Sequence, residues 1–442
     1  MKKTILFLLI TIFTNAQWSI STSERNALIS IYNQTDGANW SQSWDLEKDP
    51  YYWYGVKTSN GMVTELKLNG NLLKGNFPTS VFSLTNLKKL DLSSNKLYGE
   101  IPNLSSLSNL TYLNLSNNDF TGDVWSSYSN LPNLEEIYVG HNNCNISNTD
   151  FSGFSGLKSL DISKLNLTEI PASLGSLQKL SSLNVSNNAI VSFSNLSSLN
   201  QLQELNLANN NLNKVPSEII NFISLKSLDL SNNIITDFSS LSNLINLEWL
   251  SLENNSLQNI PNQVSNLQKL IHLNLGRNKI NGSTSILGTL NHLQQLWLNH
   301  NKLSGNIPQD LLALPNLMCL SLQSNELEGT IPNNIPQICN ISNNRFSKTQ
   351  IENYLNTNSN NTDFVYSPQR YDNPKVIKAN LNSSTSLDQA LSTDDGYSFT
   401  WLKTLDKNTY INSENLSISS VKETDFDIYT CEAIFIKNDT LY

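Results

Sequence analysis

One pattern constrains this chain more than any other: LxxLxLxxNxL, repeated in a single register through most of its length. A clean copy runs from Leu225 to Ile235, with Leu225, Leu228, Leu230, Asn233 and Ile235 at positions 1, 4, 6, 9 and 11. Position 1 recurs at Val63, Leu87, Leu110, Leu134, Leu157, Leu180, Leu202, Leu225, Leu247, Leu270, Leu293 and Leu317, at spacings of 22 to 24 residues. A fixed period in this range marks a stacked array, in which each copy is too small to bury its apolar face alone and packs on its neighbours. Each copy predicts one short parallel strand. Side chains alternate along a strand, so positions 4 and 6 enter the core while 3, 5 and 7 point the other way, onto a concave face. The expected fold class is an α/β-type solenoid with a parallel concave β-sheet.

Position 9 is Asn in eleven of the twelve copies, and the one exception is Leu165. An Asn amide both donates and accepts, so it can satisfy backbone groups where the chain turns away from the strand. Leu165 breaks that ladder and is expected to perturb the stack locally. The segment after position 11 also varies. Leu97–Pro102, Leu303–Pro308 and Leu327–Pro332 read LxGxIP, and Leu73–Pro78 nearly so. Middle copies such as Leu167–Pro171 and Leu257–Pro261 lack the Gly and are one residue shorter. After Leu327 a truncated copy places Cys339, Ile341, Asn344 and Phe346 at positions 4, 6, 9 and 11.

Before the repeats, Ser21 offers a helix N-cap, and Glu24 to Tyr32 predicts a short helix with Ala27, Leu28 and Ile31 on one face. Asp36-Gly37 ends it, and Trp40, Trp44, Tyr51, Tyr52, Trp53 and Tyr54 follow. These aromatics are expected to cover the open apolar end of the first repeat, since a solenoid needs a cap. The stretch Ala27-Leu28, Asp36-Gly37, Trp40, Trp44, Trp53-Tyr54-Gly55-Val56, Gly61, Val63, Leu66 and Leu68, with the LxGxIP turns, resembles the plant-type leucine-rich repeat family. The resemblance implies a leucine-rich repeat horseshoe that binds a ligand. Plant members flank the Trp-x-Gly-Val run with cysteines. Here Tyr51 and Tyr52 precede it and Lys57-Thr58 follow, so the chain is more similar to exported bacterial relatives.

Met1-Lys2-Lys3, an apolar run from Thr4 to Phe13, then Thr14-Asn15-Ala16 have the layout of a secretory signal peptide ending near residue 16. The apolar run is too short to span a bilayer of ~30 Å. The mature chain is therefore expected to be secreted or at the cell surface, with no membrane span. Four well-separated cysteines, Cys144, Cys319, Cys339 and Cys431, show no zinc-site spacing; Cys319 and Cys339 lie in consecutive copies and could pair. The net charge is −9 and no basic run exists, which argues against a nucleic-acid partner.

Beyond a polar stretch from Ser347 to about Asn361, Trp401 and the run Asp425, Asp427, Tyr429, Cys431 resemble the strand-C Trp and strand-F DxGxYxC of an Ig-like domain. Tyr429 would be the tyrosine-corner residue, Asn415–Ile418 a further strand, and Cys431 a lone core thiol in an all-β sandwich. The sequence ends inside what would be the last strand. The expected division is signal peptide 1–16, N-terminal cap 17–62, repeats 63–346, cap and linker 347–363, and Ig-like domain 364–442.

No convergent nucleophile, acid and base set is visible, and no HExxH, GxSxG or phosphate-binding loop. His272 and His300 sit five strand residues out of step, ~16 Å, too far to share a metal. Asp91, Asp161 and Asp229 share position 5 in copies at least three apart. No enzyme, metal or cofactor is expected. Candidate binding residues are those that depart from the concave habit. Position 5 is mostly Asp, Asn or Ser, yet is Tyr138 and Trp297; position 3 is mostly Ser, Glu or Lys, yet is Tyr112, Trp249 and His272. Trp249, Glu253, His272, Arg277, Gln295, Trp297 and His300 form one candidate site, and Tyr112, Glu136, Tyr138 and His141 a smaller one. Exposed Trp, Tyr and Arg have the composition of interaction hot spots, although aromatics filling the concavity would look the same. The expected function is recognition or adhesion, with a protein or glycan ligand on the concave face. The alternatives are a targeting or spacer module of a larger enzyme, and a receptor ectodomain.

Overall fold

The computed structural model describes residues 19–123, 131–147, 149–192, 196–367, 369, 379–387, 397–403, 410–411, 415–425, 429–437 and 440–441. The signal-peptide segment and Asp427 lie outside them. The chain divides into two compact units, one running to Leu225 apart from residues 213–215, the other holding those three residues and the rest.

The first unit opens with a helix over Thr22–Gln34, capped by Ser21, whose hydroxyl accepts from the Glu24 amide. Ala27, Leu28 and Ile31 are buried. Glu24 is buried too, and one oxygen accepts from the Val63 amide at 3.3 Å, tying the helix to the first repeat. Burial pushes its carboxyl above the usual range. A hairpin follows, Val56–Ser59 antiparallel to Met62–Lys67. From there each copy adds one parallel strand in register, with Leu66, Leu90, Leu113, Ile137, Leu160, Leu183 and Leu205 in one file. These residues are at most 2% exposed, because position 4 of every copy is sealed between its neighbours.

The cap sorts its aromatics by type. Trp40, Trp44 and Trp53 are buried and packed in a chain, Trp40 edge to face with Trp44 at a centroid distance of 4.9 Å and Trp44 stacked on Trp53 at 4.8 Å. Their indole N–H groups donate to the carbonyls of Thr35, Tyr54 and Asp45. Tyr51, Tyr52 and Tyr54 are exposed instead, so the tyrosines do not cover the first repeat.

The second unit repeats the scheme, with Leu228, Leu250, Leu273, Leu296, Leu320 and Cys339 in file. Phe364–Val365 adds a last parallel strand. Ser347 caps a helix over Lys348–Thr357, with Gln350 completing a reciprocal capping box. The polar stretch read from sequence as cap and linker thus contains a helix, whose Ile351 and Tyr354 are buried. Beyond it, Thr385–Leu387 pairs with Leu416–Ile418, and Tyr397–Lys403 pairs with both Tyr410–Ile411 and Tyr429–Lys437, all antiparallel. Trp401 is buried opposite Cys431, and the Tyr429 hydroxyl donates to the Asp425 carbonyl at 3.2 Å. Cys431 is only half-buried, against its expected place in a core.

The Asn ladder has a consistent geometry. Asn278 is typical: its amide donates to the carbonyls of Leu252, Leu275 and Gly276, and its oxygen accepts from the amides of Asn255 and Leu257. The Leu165 copy corrects an expectation. Leu165 is buried as an ordinary apolar side chain, and its own amide still reaches Asn188 at 2.9 Å. The strands on both sides stay in register, since position 9 takes no part in strand pairing. The segments after position 11 fall into two kinds. Lys74–Asn76, Lys96–Glu100 and Asp119–Thr121 form a second small parallel sheet, as do Ser304–Gly305 and Glu326–Leu327. Shorter middle copies such as those at Leu167 and Leu257 lack this strand, and the 3-10 segments Ala172–Ser176 and Asn262–Asn266 follow their Pro as Thr79–Ser83 follows Pro78.

All four cysteines are free. Cys319 is opposite Ile338 and Cys339 opposite Leu320, so the two thiols emerge on opposite faces of the sheet and cannot pair. Burial pushes the Cys144 and Cys339 thiols up to about 12.

Candidate binding surface on the sheet

Two backbone devices shape the open face, and neither is visible as chemistry in the sequence. The first is at position 5. In eight copies its Asp or Asn oxygen accepts from the amide of position 7, at 2.9 to 3.1 Å. The side chain thus mimics a backbone turn. What reads as surface polarity is structural capping. Tyr138 and Trp297 replace such a residue and forgo the bond, which is worth about 1 kcal/mol.

The second device is at position 8, where φ lies between +50° and +63° from Gly70 through Asn343. Left-handed backbone favours Gly and Asn and strains most other side chains by roughly 1–2 kcal/mol. Three candidate residues, His141, Arg277 and His300, sit at this position, with φ of +58°, +54° and +53°.

In the second unit the candidate residues occupy adjacent strands. Trp249 is opposite His272, His272 opposite Gln295, and Asn274 opposite Trp297. Trp249, His272, Gln295 and Trp297 are half-buried, while Arg277 and His300 are exposed. Glu253 is held by Arg277, with Nε to Oε1 at 3.1 Å, and by the Asn274 amide at 2.9 Å. Among the described residues, neither indole of Trp249 and Trp297 nor the His272 ring has a hydrogen-bond or ring partner. The three cap tryptophans all do. Two strand steps and one two-residue offset put Trp297 roughly 12 Å from Trp249.

In the first unit Tyr112 and Tyr138 pack with ring centroids 5.6 Å apart. The Tyr138 hydroxyl donates to Glu136 at 2.9 Å and lies 3.2 Å from Ser159. The Tyr112 hydroxyl donates to Asp91 and accepts from Asn114. Burial, with help from nearby carboxylates, raises Tyr112 to about 12 and Tyr138 in the same direction. His141 joins this group only through its place in the turn, where its carbonyl accepts from Asn118. Among the described residues no group of His, Cys, Asp and Glu is placed to hold a metal.

Comparison with known proteins decides what the repeats are. A leucine rich repeat family profile matches residues 155–212 and 200–257, a two-copy profile matches 85–124, and a single-repeat profile matches 292–314. The matched segments are leucine-rich repeats. A probable inactive receptor kinase of Arabidopsis thaliana is 35% identical over 82 residues, 18% of this chain and 12% of that protein. A calmodulin-binding receptor kinase of the same plant is 31% identical over 193 residues, 41% of this chain and 27% of that protein. The chain therefore spans only a small part of these curated relatives. Among solved structures, a leucine-rich repeat protein of Leptospira interrogans is similar over 69% of this chain and 83% of its own, at 25% identity and TM-score 0.58. An internalin of Listeria monocytogenes covers 72% and 92%, at 24% and 0.57. The leucine-rich repeat ectodomain of an Arabidopsis thaliana membrane receptor kinase, solved with Casparian strip integrity factor 2, covers 66% and 42%, at 25% and 0.50. Among the described residues, no helix is long and apolar enough to cross a membrane.

Proposed function

We propose that this chain is an exported, non-catalytic recognition protein whose leucine-rich repeats bind a ligand on the open face around Trp249, His272 and Trp297. One observation carries the reading. Both indoles stand at outward-facing positions with no internal partner for their N–H groups, and Trp297 displaces a capping residue that most other copies keep. A buried tryptophan usually finds a partner for its N–H, as the three in the cap do. Ligand capture by a related ectodomain supports the same role. We read the ligand as a protein or glycan met outside the cell, with Arg277, Glu253, Gln295 and His300 at the margin of the site, and the protein as secreted or surface-attached. The division into cap, repeats, helix-bearing linker and a C-terminal Ig-like domain is part of this proposal. Buried Trp401 and the Tyr429–Asp425 bond support the Ig-like assignment.

The receptor kinases among the relatives support a second reading, in which the repeats serve a larger receptor or enzyme. The complete reading frame decides it. The first reading is tested by screening the mature protein against glycan arrays and extracellular proteins. Replacing Trp249 and Trp297 together by Ala should weaken the captured ligand by about 2 kcal/mol or more, with little change in melting temperature. A ligand indifferent to both substitutions would remove the site from this face.

A further inference from the structure

The chain contains three Asn-Gly steps, Asn60-Gly61, Asn69-Gly70 and Asn281-Gly282. We propose that the third is a site of spontaneous covalent modification, where Asn281 deamidates through a cyclic imide while the fold holds the other two back. The chemistry balances with water as the sole co-reactant and no change in oxidation state. The Gly282 backbone nitrogen gives its proton to solvent and attacks the carbonyl carbon of the Asn281 side chain. A new C–N bond closes the ring, the bond to the side-chain nitrogen breaks, and that nitrogen takes up a proton and leaves as ammonia. Water then opens the imide at either carbonyl, giving aspartate or isoaspartate. The step therefore needs a backbone nitrogen free to attack, a side chain free to meet it, and a peptide free to rotate.

Asn60, Asn69 and Asn281 are all exposed, so access to water does not separate the three. Backbone bonding does. Asn69 and Gly70 hold positions 7 and 8 of the first repeat, and the Gly70 amide donates to the Ser93 carbonyl at 2.9 Å. Ser94 and Asn117 make the same bond in the next copies, to Ser116 and Gly140, so the Gly70 nitrogen is tied into a ladder. Asn60 and Gly61 are the central residues of the first hairpin turn, both left-handed, at φ of +53° and +75°. Ser59 pairs with Met62 across them, so turning their shared peptide to close a ring would break the hairpin. Asn281-Gly282 escapes both restraints. It lies in the irregular stretch between the strand His272–Asn274 and the 3-10 segment Ser285–Thr289. The Asn281 amide donates to the Gln258 carbonyl at 3.2 Å, but among the described residues neither the Asn281 side chain nor the Gly282 amide has a hydrogen-bond partner. Gly282 is itself required by packing: a Cβ there would lie 2.4 Å from Asn259 Oδ1, and any side chain would have to displace Asn259. Close approach of the neighbouring copy thus preserves the reactive pair. Deamidation would add a negative charge beside the groove lined by Gln258, Asn259, Pro261, Ser283 and Ile286. Isoaspartate would also lengthen the backbone by a methylene group just before Ser283.

The test incubates the full chain in mildly alkaline buffer, folded in one arm and unfolded in guanidinium in the other, and follows all three sites by peptide mass spectrometry. In the folded protein Asn281 should convert to mixed isoaspartate and aspartate about tenfold faster than Asn69, the factor that opening one backbone hydrogen bond imposes. In the unfolded chain the three steps should react at comparable rates. Heavy-oxygen water should label each converted side chain, as hydrolysis of an imide requires. Gly282→Ala should remove most of the conversion, because a side chain restricts the rotation that closes the ring. Asn281→Gln leaves the contact with Asn259 untouched and guards against misfolding of that variant; its longer side chain should stay unconverted over the same period. Conversion of Asn60 or Asn69 as fast as Asn281 in the folded protein overturns the inference. So does an Asn281 that converts only after unfolding, or one whose rate is indifferent to Gly282→Ala.

Discussion

The two aromatic groups on the open face differ in how their polar atoms are used. Tyr112 and Tyr138 pack ring against ring, and their hydroxyls are bonded to Asp91, Asn114, Glu136 and Ser159. Trp249, His272 and Trp297 make no such bonds. The first group is closed: it knits neighbouring strands together and leaves little for a ligand to satisfy. The second is open, with donors and apolar faces kept available. Aromatic residues at equivalent places in one repeat array therefore serve different ends, and the hydrogen-bond account separates them where residue type does not.

Truncation is the harshest way to break this contrast. Tyr138→Ala removes a half-buried ring, its pairing with Tyr112 and two hydroxyl contacts, and should destabilise the fold by about 2–3 kcal/mol in denaturant unfolding. Trp297→Ala should lower stability by under about 1 kcal/mol, since its indole makes no bond that is lost. Equal losses from the two would abolish the distinction.

A subtler substitution uses the turn cap at position 5. Trp297→Asn restores the side-chain oxygen that Asn274 supplies to Gly276 one strand earlier. It should leave stability unchanged or raise it by up to about 1 kcal/mol while removing ligand binding. Tyr138→Asn gains little from the cap, since the Gly140 amide already donates to the Asp161 carbonyl at 3.2 Å, and it forfeits the closed network, for a net loss of about 1–2 kcal/mol. Opposite signs are the expected outcome of paired thermal melts. A destabilised Trp297→Asn would mean that the indole is part of the scaffold.

The period itself made the strands legible. It fixes which Leu faces inward, and a constant period brings Trp249 beside His272 without any knowledge of the fold. What stayed hidden belongs to the backbone. Asp and Asn at position 5 look like solvent-facing polarity until the position 7 amide is seen pointing at them. Asn at position 8 looks like a second ladder residue until its positive φ is known. Leu165 seemed a break because the side-chain ladder was the only continuous feature visible, yet strand pairing runs through it unaided. In the cap, Trp and Tyr were indistinguishable as cover. Only the geometry shows that the three indoles turn inward to find carbonyls while Tyr51, Tyr52 and Tyr54 remain outside.

The mildest probe of the closed group is titration. Burial raises Tyr112 from the usual 10 to about 12, and the nearby Asp91 and Glu136 carboxylates push the same way. The folded state thus keeps a proton that the unfolded chain releases earlier. That contribution to stability is complete below pH 10 and is lost as the pH rises through about 12. Tyrosinate absorbance should show the Tyr112 transition lagging behind the usual tyrosine range until the fold opens. In Glu136→Gln the lag should shorten, because one like charge is gone, whereas Glu253→Gln should leave it unchanged. If Tyr112 ionised in the usual tyrosine range, its ring would be as open as the tryptophans, and the contrast between the two groups would fail at its more ordered end.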